Sequence, residues 1–329
     1  MYVRPEDVGG DLLNEKCTKY PNHTDFIPAH RFSVAHVDRY LQGNLPYGLT
    51  KQDVVDLVKT WVPTTVRIIG NHISENRPDT WNGVYGSYPL TTQYHMSEHR
   101  GEQVRHAGSG WVRRVWETTV QGSSSRSWDI WVLTAQHVIF GRGETEAMRK
   151  GQEEDHSEAK ACHITFFDDG VSAPVTLKDG GRYDCGDTKR DVCSLTFTTS
   201  DVCLGEKLVD LLKKRKAMTA YIEGKINMHK HDSHHVGEER KYPIVTIGYA
   251  HSKQCHITMG YLKDVMKKDD WRKTSVKYTA KSCAGSSGCV ILSLGRLSRW
   301  DFLLCYPHSG ASLDTQGAGE SAARELWAS

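Results

Sequence analysis

The residues best placed to do chemistry lie in Ala280-Lys-Ser-Cys-Ala-Gly285-Ser286-Ser287-Gly288-Cys289-Val-Ile-Leu292, a small-residue turn that runs into an apolar, β-branched strand. A hydroxyl between two glycines can stand out of a tight bend, and the N–H groups of Gly285 and Ser287 then converge where an oxyanion would form. By itself Gly-Ser-Ser-Gly is far more often an ordinary hairpin loop, so its meaning depends on partners. Two lie upstream. Trp128-Asp-Ile-Trp-Val-Leu-Thr134-Ala-Gln-His137 is a hydrophobic strand that ends on an imidazole, and Asp191-Val-Cys-Ser-Leu-Thr-Phe197 is a second apolar strand opened by a carboxylate. A serine hydroxyl is a weak nucleophile at its free pKa and needs a general base. An imidazole held by a carboxylate supplies one, and the chemistry would be acyl transfer.

The chain order His137, Asp191, Ser287 is that of the chymotrypsin group rather than of subtilisins or α/β-hydrolases. Three local signatures resemble trypsin-like serine peptidases of the chymotrypsin fold. Thr134-Ala-Gln-His137 is similar to that family's Thr-Ala-Ala-His, Asp191-Val-Cys-Ser-Leu to its Asp-Ile-Ala-Leu-Leu, and Gly285-Ser-Ser287-Gly to its Gly-Asp-Ser-Gly. The resemblance covers about residues 64–312. It implies an all-β fold of two six-stranded antiparallel β-barrels with an N-terminal helical extension and short peripheral helices. It also implies a serine endopeptidase working through His137, Asp191 and Ser287 and an acyl-enzyme, with an oxyanion hole at Gly285 and Ser287. Ser287 is preferred to Ser286 because Ser286 fills the family frame's variable slot. Secreted members activated by proteolysis carry Asp in that slot and an Ile-Val-Gly-Gly-like domain start; both are missing here, which argues against activation by that route. His308, Ser309 and Gly310 fall where the family's last specificity-pocket strand lies. A His at that wall resembles enzymes that cut after Glu or Gln; the alternative is a packing histidine. A catalytically silent protein-binding domain on the same fold is the alternative function.

The elements that must position these groups read as follows. Thr50-Lys-Gln-Asp53 is a capping box for a helix carrying Val54, Val55, Leu57, Val58 and Trp61 and stopped by Pro63. Strands are expected over 64–69, 108–115, 161–167, 174–177, 242–249, 256–264, 275–279 and 301–306. Residues 70–107 read as a long loop, and the charged run 141–160 as a solvated surface loop with room for a short helix. A helix over 204–217, ending in Lys213-Lys-Arg-Lys216, joins the two barrels, the basic run complementing its dipole. The resulting division is 1–63 as an extension, 64–203 as a first barrel with His137 and Asp191, 204–312 as a second with Ser287, and 313–329 as a tail with one helical turn.

Composition narrows the partners. The 329 residues carry 42 Lys and Arg against 40 Asp and Glu, so no overall field draws the chain to nucleic acid or an anionic membrane. No apolar run reaches membrane-spanning length and the first thirty residues are polar, which implies a cytoplasmic protein. The nine cysteines have no paired C-x-x-C spacing and are expected reduced. His229-Lys-His231-Asp-Ser-His234-His235 invites a metal, but it has no matching Cys or carboxylate motif and reads as a loop. No cofactor or metal is required; the expected partner is a protein or peptide substrate.

Overall fold

The computed structural model describes residues 3–5, 23–42, 45–46, 48–79, 96–119, 126–178, 180–187, 191–228, 242–266, 275–295, 303–308, 310–312 and 319–321. It is mostly β. Strands β1 (Val3–Pro5) and β2 (Ile27–Pro28) come first. They are followed by β3 (Thr65–Gly70), β4 (His106–Thr119), β5 (Arg126–Thr134), β6 (His163–Phe166), β7 (Val175–Lys178), β8 (Arg182–Asp187) and β9 (Val192–Thr199). The later strands are β10 (Pro243–Gly248), β11 (His256–Met266), β12 (Ser275–Tyr278), β13 (Val290–Leu294), β14 (Leu303–Pro307), β15 (Gly310–Ser312) and β16 (Gly319–Ser321). Helices are α1 (Val34–Leu41), α2 (Lys51–Trp61), α3 (Glu144–Lys150), α4 (Ser157–Lys160) and α5 (Val202–Met228).

The strands form two antiparallel sheets. One runs β7-β6-β3-β4-β5-β9-β8; the other runs β1-β15-β16-β12-β11-β10-β13-β14, with β2 added on β11. Two six-stranded closed barrels were expected; among the described residues no pairing joins the two ends of either path. The extra strands come from the termini. β1 pairs β15 and β2 pairs β11, so the N-terminal extension contributes to the second sheet as well as providing helices. In the tail, Gly319–Ser321 lies beside β12 and β15, while the helical turn expected over 320–327 falls largely outside the described residues.

Each sheet closes over its own core. Val66, Ile68, Val112, Ile130, Val132, Ile164 and Phe166 fill the first. In the second, Val245, Ile247, Ile257, Val290 and Leu292 pack against α1 and α2. The α2 start is the capping box expected from Thr50 and Asp53: the Thr50 hydroxyl accepts from the Asp53 amide, and the Asp53 carboxylate accepts from the Thr50 amide at 2.7 Å. All five of its anticipated apolar residues are buried.

α5 is longer than its sequence suggested. Leu204 and Leu208 pack into the first core and Ile222 into the second, so the 27-residue helix straps both. Lys213–Lys216 therefore lies mid-helix, where no terminal dipole needs complementing. Within that run Arg215 is buried, its Nη1 donating to Thr64 Oγ1 at 2.8 Å while the guanidinium sits 4.3 Å from the Trp61 ring. Residues 141–160 do hold the short helix that the sequence allowed for, but they are more than a solvated loop. They carry α3 and α4 and bury Asp155 and Glu158.

Candidate active site

Antiparallel pairing of β5 with β9 matches Thr134 to Cys193, which carries the turn after β5 and the residue before β9 to the same end of the sheet. His137 lies in that turn, and Asp191 immediately precedes β9 with φ +53°, a left-handed conformation that Asp tolerates better than most residues. The Asp191 carboxylate holds His137 twice, accepting from the backbone N–H through Oδ1 at 2.9 Å and from ring Nδ1 through Oδ2 at 2.7 Å. A carboxylate only accepts, so Nδ1 bears the proton and Nε2 is left as the basic nitrogen. Nε2 lies 2.7 Å from Ser287 Oγ, positioned to receive the hydroxyl proton.

Ser287 owes its position to two overlapping turns. The Ser286 amide donates to Cys283 O and the Cys289 amide to Ser286 O, with Gly285 (φ +85°) and Gly288 (φ +81°) third in their respective turns. A positive φ at that corner selects glycine. Gly288 is doubly constrained, because a Cβ there would overlap the Ser109 carbonyl and the Thr134 hydroxyl. The Ser286 hydroxyl turns back to accept from the Cys283 amide at 3.2 Å, away from the imidazole. The Gly285 and Ser287 amides donate to no carbonyl among the described residues.

Residues that sequence reasoning missed hold this arrangement in place. Ser109 of β4 joins the sheets: its amide donates to Ser287 O at 2.7 Å and its hydroxyl to Gly285 O at 2.9 Å, while that hydroxyl accepts from Tyr249 N at 2.8 Å. Thr134 Oγ1 donates to Ser109 O at 2.7 Å. Behind the imidazole, Arg77 (2 % exposed) forms a bidentate pair with Glu158 (0 %), at 2.6 Å from Nε and 2.8 Å from Nη2. Its Nη1 donates to the His137 carbonyl at 3.2 Å. Glu158 also accepts from the Ser74 and Phe140 amides. The next carbonyl, Val138 O, lies 2.9 Å from His106 Nε2. Burial holds His106 below its ordinary value of 6.5, Arg77 adding to the effect while Glu158 opposes it. Only Thr134, inside Thr134-Ala-Gln-His137, and the Gly-Ser-Gly around Ser109 left a local trace in the sequence.

His308 is tied to the same turn through its backbone, its amide donating to Cys289 O and its carbonyl accepting from Gly288 N. Its Nδ1 lies 2.6 Å from the Tyr278 hydroxyl. Gly310 belongs to β15, whereas Ser309 and the His229–His235 run lie outside the described residues.

No family model matches the sequence, and no curated protein matches it. Solved structures do resemble it. An HtrA-type protease AlgW variant with a decapeptide is 13 % identical over 81 % of this chain, with TM-score 0.39. The active form of the Rv3671c protease from M. tuberculosis is 12 % identical over 80 % of this chain and 78 % of its own, with TM-score 0.39. Deg5 is 12 % identical over 74 % and 80 %, with TM-score 0.36. The chain spans 61 % of the AlgW variant's length. Likeness at this level carries no argument about activity.

All three of His137, Asp191 and Ser287 are 0 % exposed. A carbonyl can reach Ser287 Oγ only after the site opens. Among the described residues no helix is long and apolar enough to cross a membrane.

Proposed function

We propose that this chain is a serine endopeptidase of the chymotrypsin type. The observation that carries the proposal is the unbroken line from the Asp191 carboxylate through the His137 ring to Ser287 Oγ, with 2.7 Å at each step. Ser287 Oγ attacks the scissile carbonyl as its proton passes to His137 Nε2, and Asp191 stabilises the imidazolium. The Gly285 and Ser287 amides take the tetrahedral oxyanion, each such donor being worth about 10²–10³ in rate. The imidazolium returns its proton to the departing amine, and water, deprotonated by the same nitrogen, then releases the acyl group. A P1 Glu or Gln is assigned to His308 Nε2, with the Tyr278 hydroxyl orienting the ring from Nδ1.

The complete burial of Ser287 favours a second reading, a catalytically silent protein-binding domain on the same scaffold. Fluorophosphonate labelling of the purified chain, with the modified peptide located by mass spectrometry, separates the two. Peptidase chemistry requires labelling at Ser287 that disappears in Ser287→Ala and His137→Ala. A folded wild type that stays unlabelled supports the silent domain.

A further inference from the structure

Three distant segments converge beside the nucleophile turn. His23 precedes β2, His251 follows β10, and Cys283 opens the first of the two turns that present Ser287. His23 Nε2 lies 2.9 Å from His251 Nε2 and 3.4 Å from Cys283 Sγ, and one ligand atom from each residue falls within 4.8 Å of the others. The two imidazoles meet edge to face, at 80° with centroids 4.7 Å apart. A tetrahedral ion with Zn–N of about 2.0–2.1 Å and Zn–S of about 2.3 Å sets its ligand atoms about 3.3 Å (N to N) and about 3.6 Å (N to S) apart. Both His23 spacings fall within a few tenths of an ångström of those figures, and the His251–Cys283 pair lies within 4.8 Å.

The surroundings suit such an ion. Cys283 is 1 % exposed and packs with Phe26 and Ala250 in a small apolar cluster, and Phe26 sets its edge against the His23 ring at 4.9 Å. An apolar shell of this kind limits solvent access to a metal and strengthens its bonds. The donor set decides the class: thiolate and imidazole select borderline and soft ions, whereas magnesium and calcium require oxygen.

We propose that His23, His251 and Cys283 bind one zinc-class divalent cation that cross-links the N-terminal segment and the turn after β10 to the nucleophile turn. Binding releases the Cys283 thiol proton to solvent, forms one metal–sulfur and two metal–nitrogen bonds, and leaves a fourth position for water. The backbone already joins two of these parts, because the His251 amide donates to Ala284 O at 2.6 Å. The cation would fix the stretch Cys283–Gly285, whose last amide faces the oxyanion position. It takes no part in acyl transfer, and the site stands whether or not Ser287 is a nucleophile.

The test uses the full chain, stripped with chelator and titrated with Co²⁺ and then Zn²⁺. The expected result is one equivalent of Co²⁺ with a thiolate-to-cobalt charge-transfer band, displaced by Zn²⁺, and a Zn²⁺-dependent rise in Tm. Cys283→Ser should abolish the band. Both it and His251→Ala should weaken Zn²⁺ binding by at least the roughly 10–100-fold that loss of an outer partner alone costs. A chain with His229, His231, His234 and His235 all changed to alanine should bind as wild type. Circular dichroism of the metal-free variants establishes that they are folded, and His23→Gln provides an independent ligand deletion if either other variant is not. Absence of the band in wild type, its persistence in Cys283→Ser, or binding lost only in the four-histidine variant would overturn the proposal.

Discussion

The Asp191 carboxylate engages two groups of one residue, fixing both where the imidazole sits and which nitrogen carries its proton. Asp191→Asn keeps the shape but offers an N–H where an acceptor is needed, which turns the ring toward the wrong tautomer. Reaction of Ser287 with fluorophosphonate should then slow by about 10⁴-fold, the scale known for this substitution in a triad, with Tm little changed. A rate near wild type would show that the carboxylate does not set the tautomer. If His308 forms the proposed specificity wall, His308→Ala should flatten any Glu or Gln preference in a cleavage profile made on a peptide library. A profile without that preference in the wild type would leave His308 as a packing residue joined to Tyr278. His106 predicts an acid limb in stability. Its folded pKa lies below 6.5, so the unfolded chain binds the proton more readily, and the stability this group contributes is lost as pH falls from 6.5 through the folded value. His106→Gln, which does not titrate, should lessen the fall of Tm below pH 6.5 relative to wild type. An unchanged limb would assign it to other groups.

At the scale of elements, much of the frame was legible and the reasons are local. The α2 capping box, its buried face and most strand positions follow from spacings of a few residues. So did Thr134-Ala-Gln-His137, because a strand end and its turn are contiguous in sequence. What could not be read is what the chain assembles over distance. Arg77 and Glu158 are 81 residues apart, and neither carries a signature; each sat in a stretch that composition marked as loop. Lys213–Lys216 looked like a helix terminus because four basic residues complement a dipole, yet α5 continues to Met228 with Arg215 buried against Trp61. The buried Arg77–Glu158 pair makes the sharper prediction. Arg77→Met alone strands a buried carboxylate and should cost about 3–5 kcal/mol, whereas Arg77→Met with Glu158→Leu should recover most of that in urea unfolding. Equal loss in the single and double variants would mean that the stability resides in packing rather than in the charges.

At the scale of the whole molecule the two sheets each bury a core, and the site lies where they meet, so its geometry depends on what couples them. α5 straps both cores from outside. At the interface itself Ser109 reaches from the first sheet to the Ser287 carbonyl, the Gly285 carbonyl and the Tyr249 amide of the second. Ser109→Ala preserves the backbone bond to Ser287 but leaves the Gly285 carbonyl and the Tyr249 amide, both interior groups, without the hydroxyl between them. Stranding such groups costs about 1–3 kcal/mol, and the loss should appear in urea unfolding. Gly285 also carries one of the two amides proposed for the oxyanion, so release of its carbonyl should also slow fluorophosphonate labelling of the folded fraction. Thr134→Val provides the comparison: it removes a bond to the same residue, through Ser109 O, without touching the Gly285 peptide. A stability loss in both variants with slowed labelling in Ser109→Ala alone would identify the Ser109 hydroxyl as the group that sets the nucleophile turn against the first sheet. Labelling slowed equally in both would mean that the turn responds to sheet docking in general.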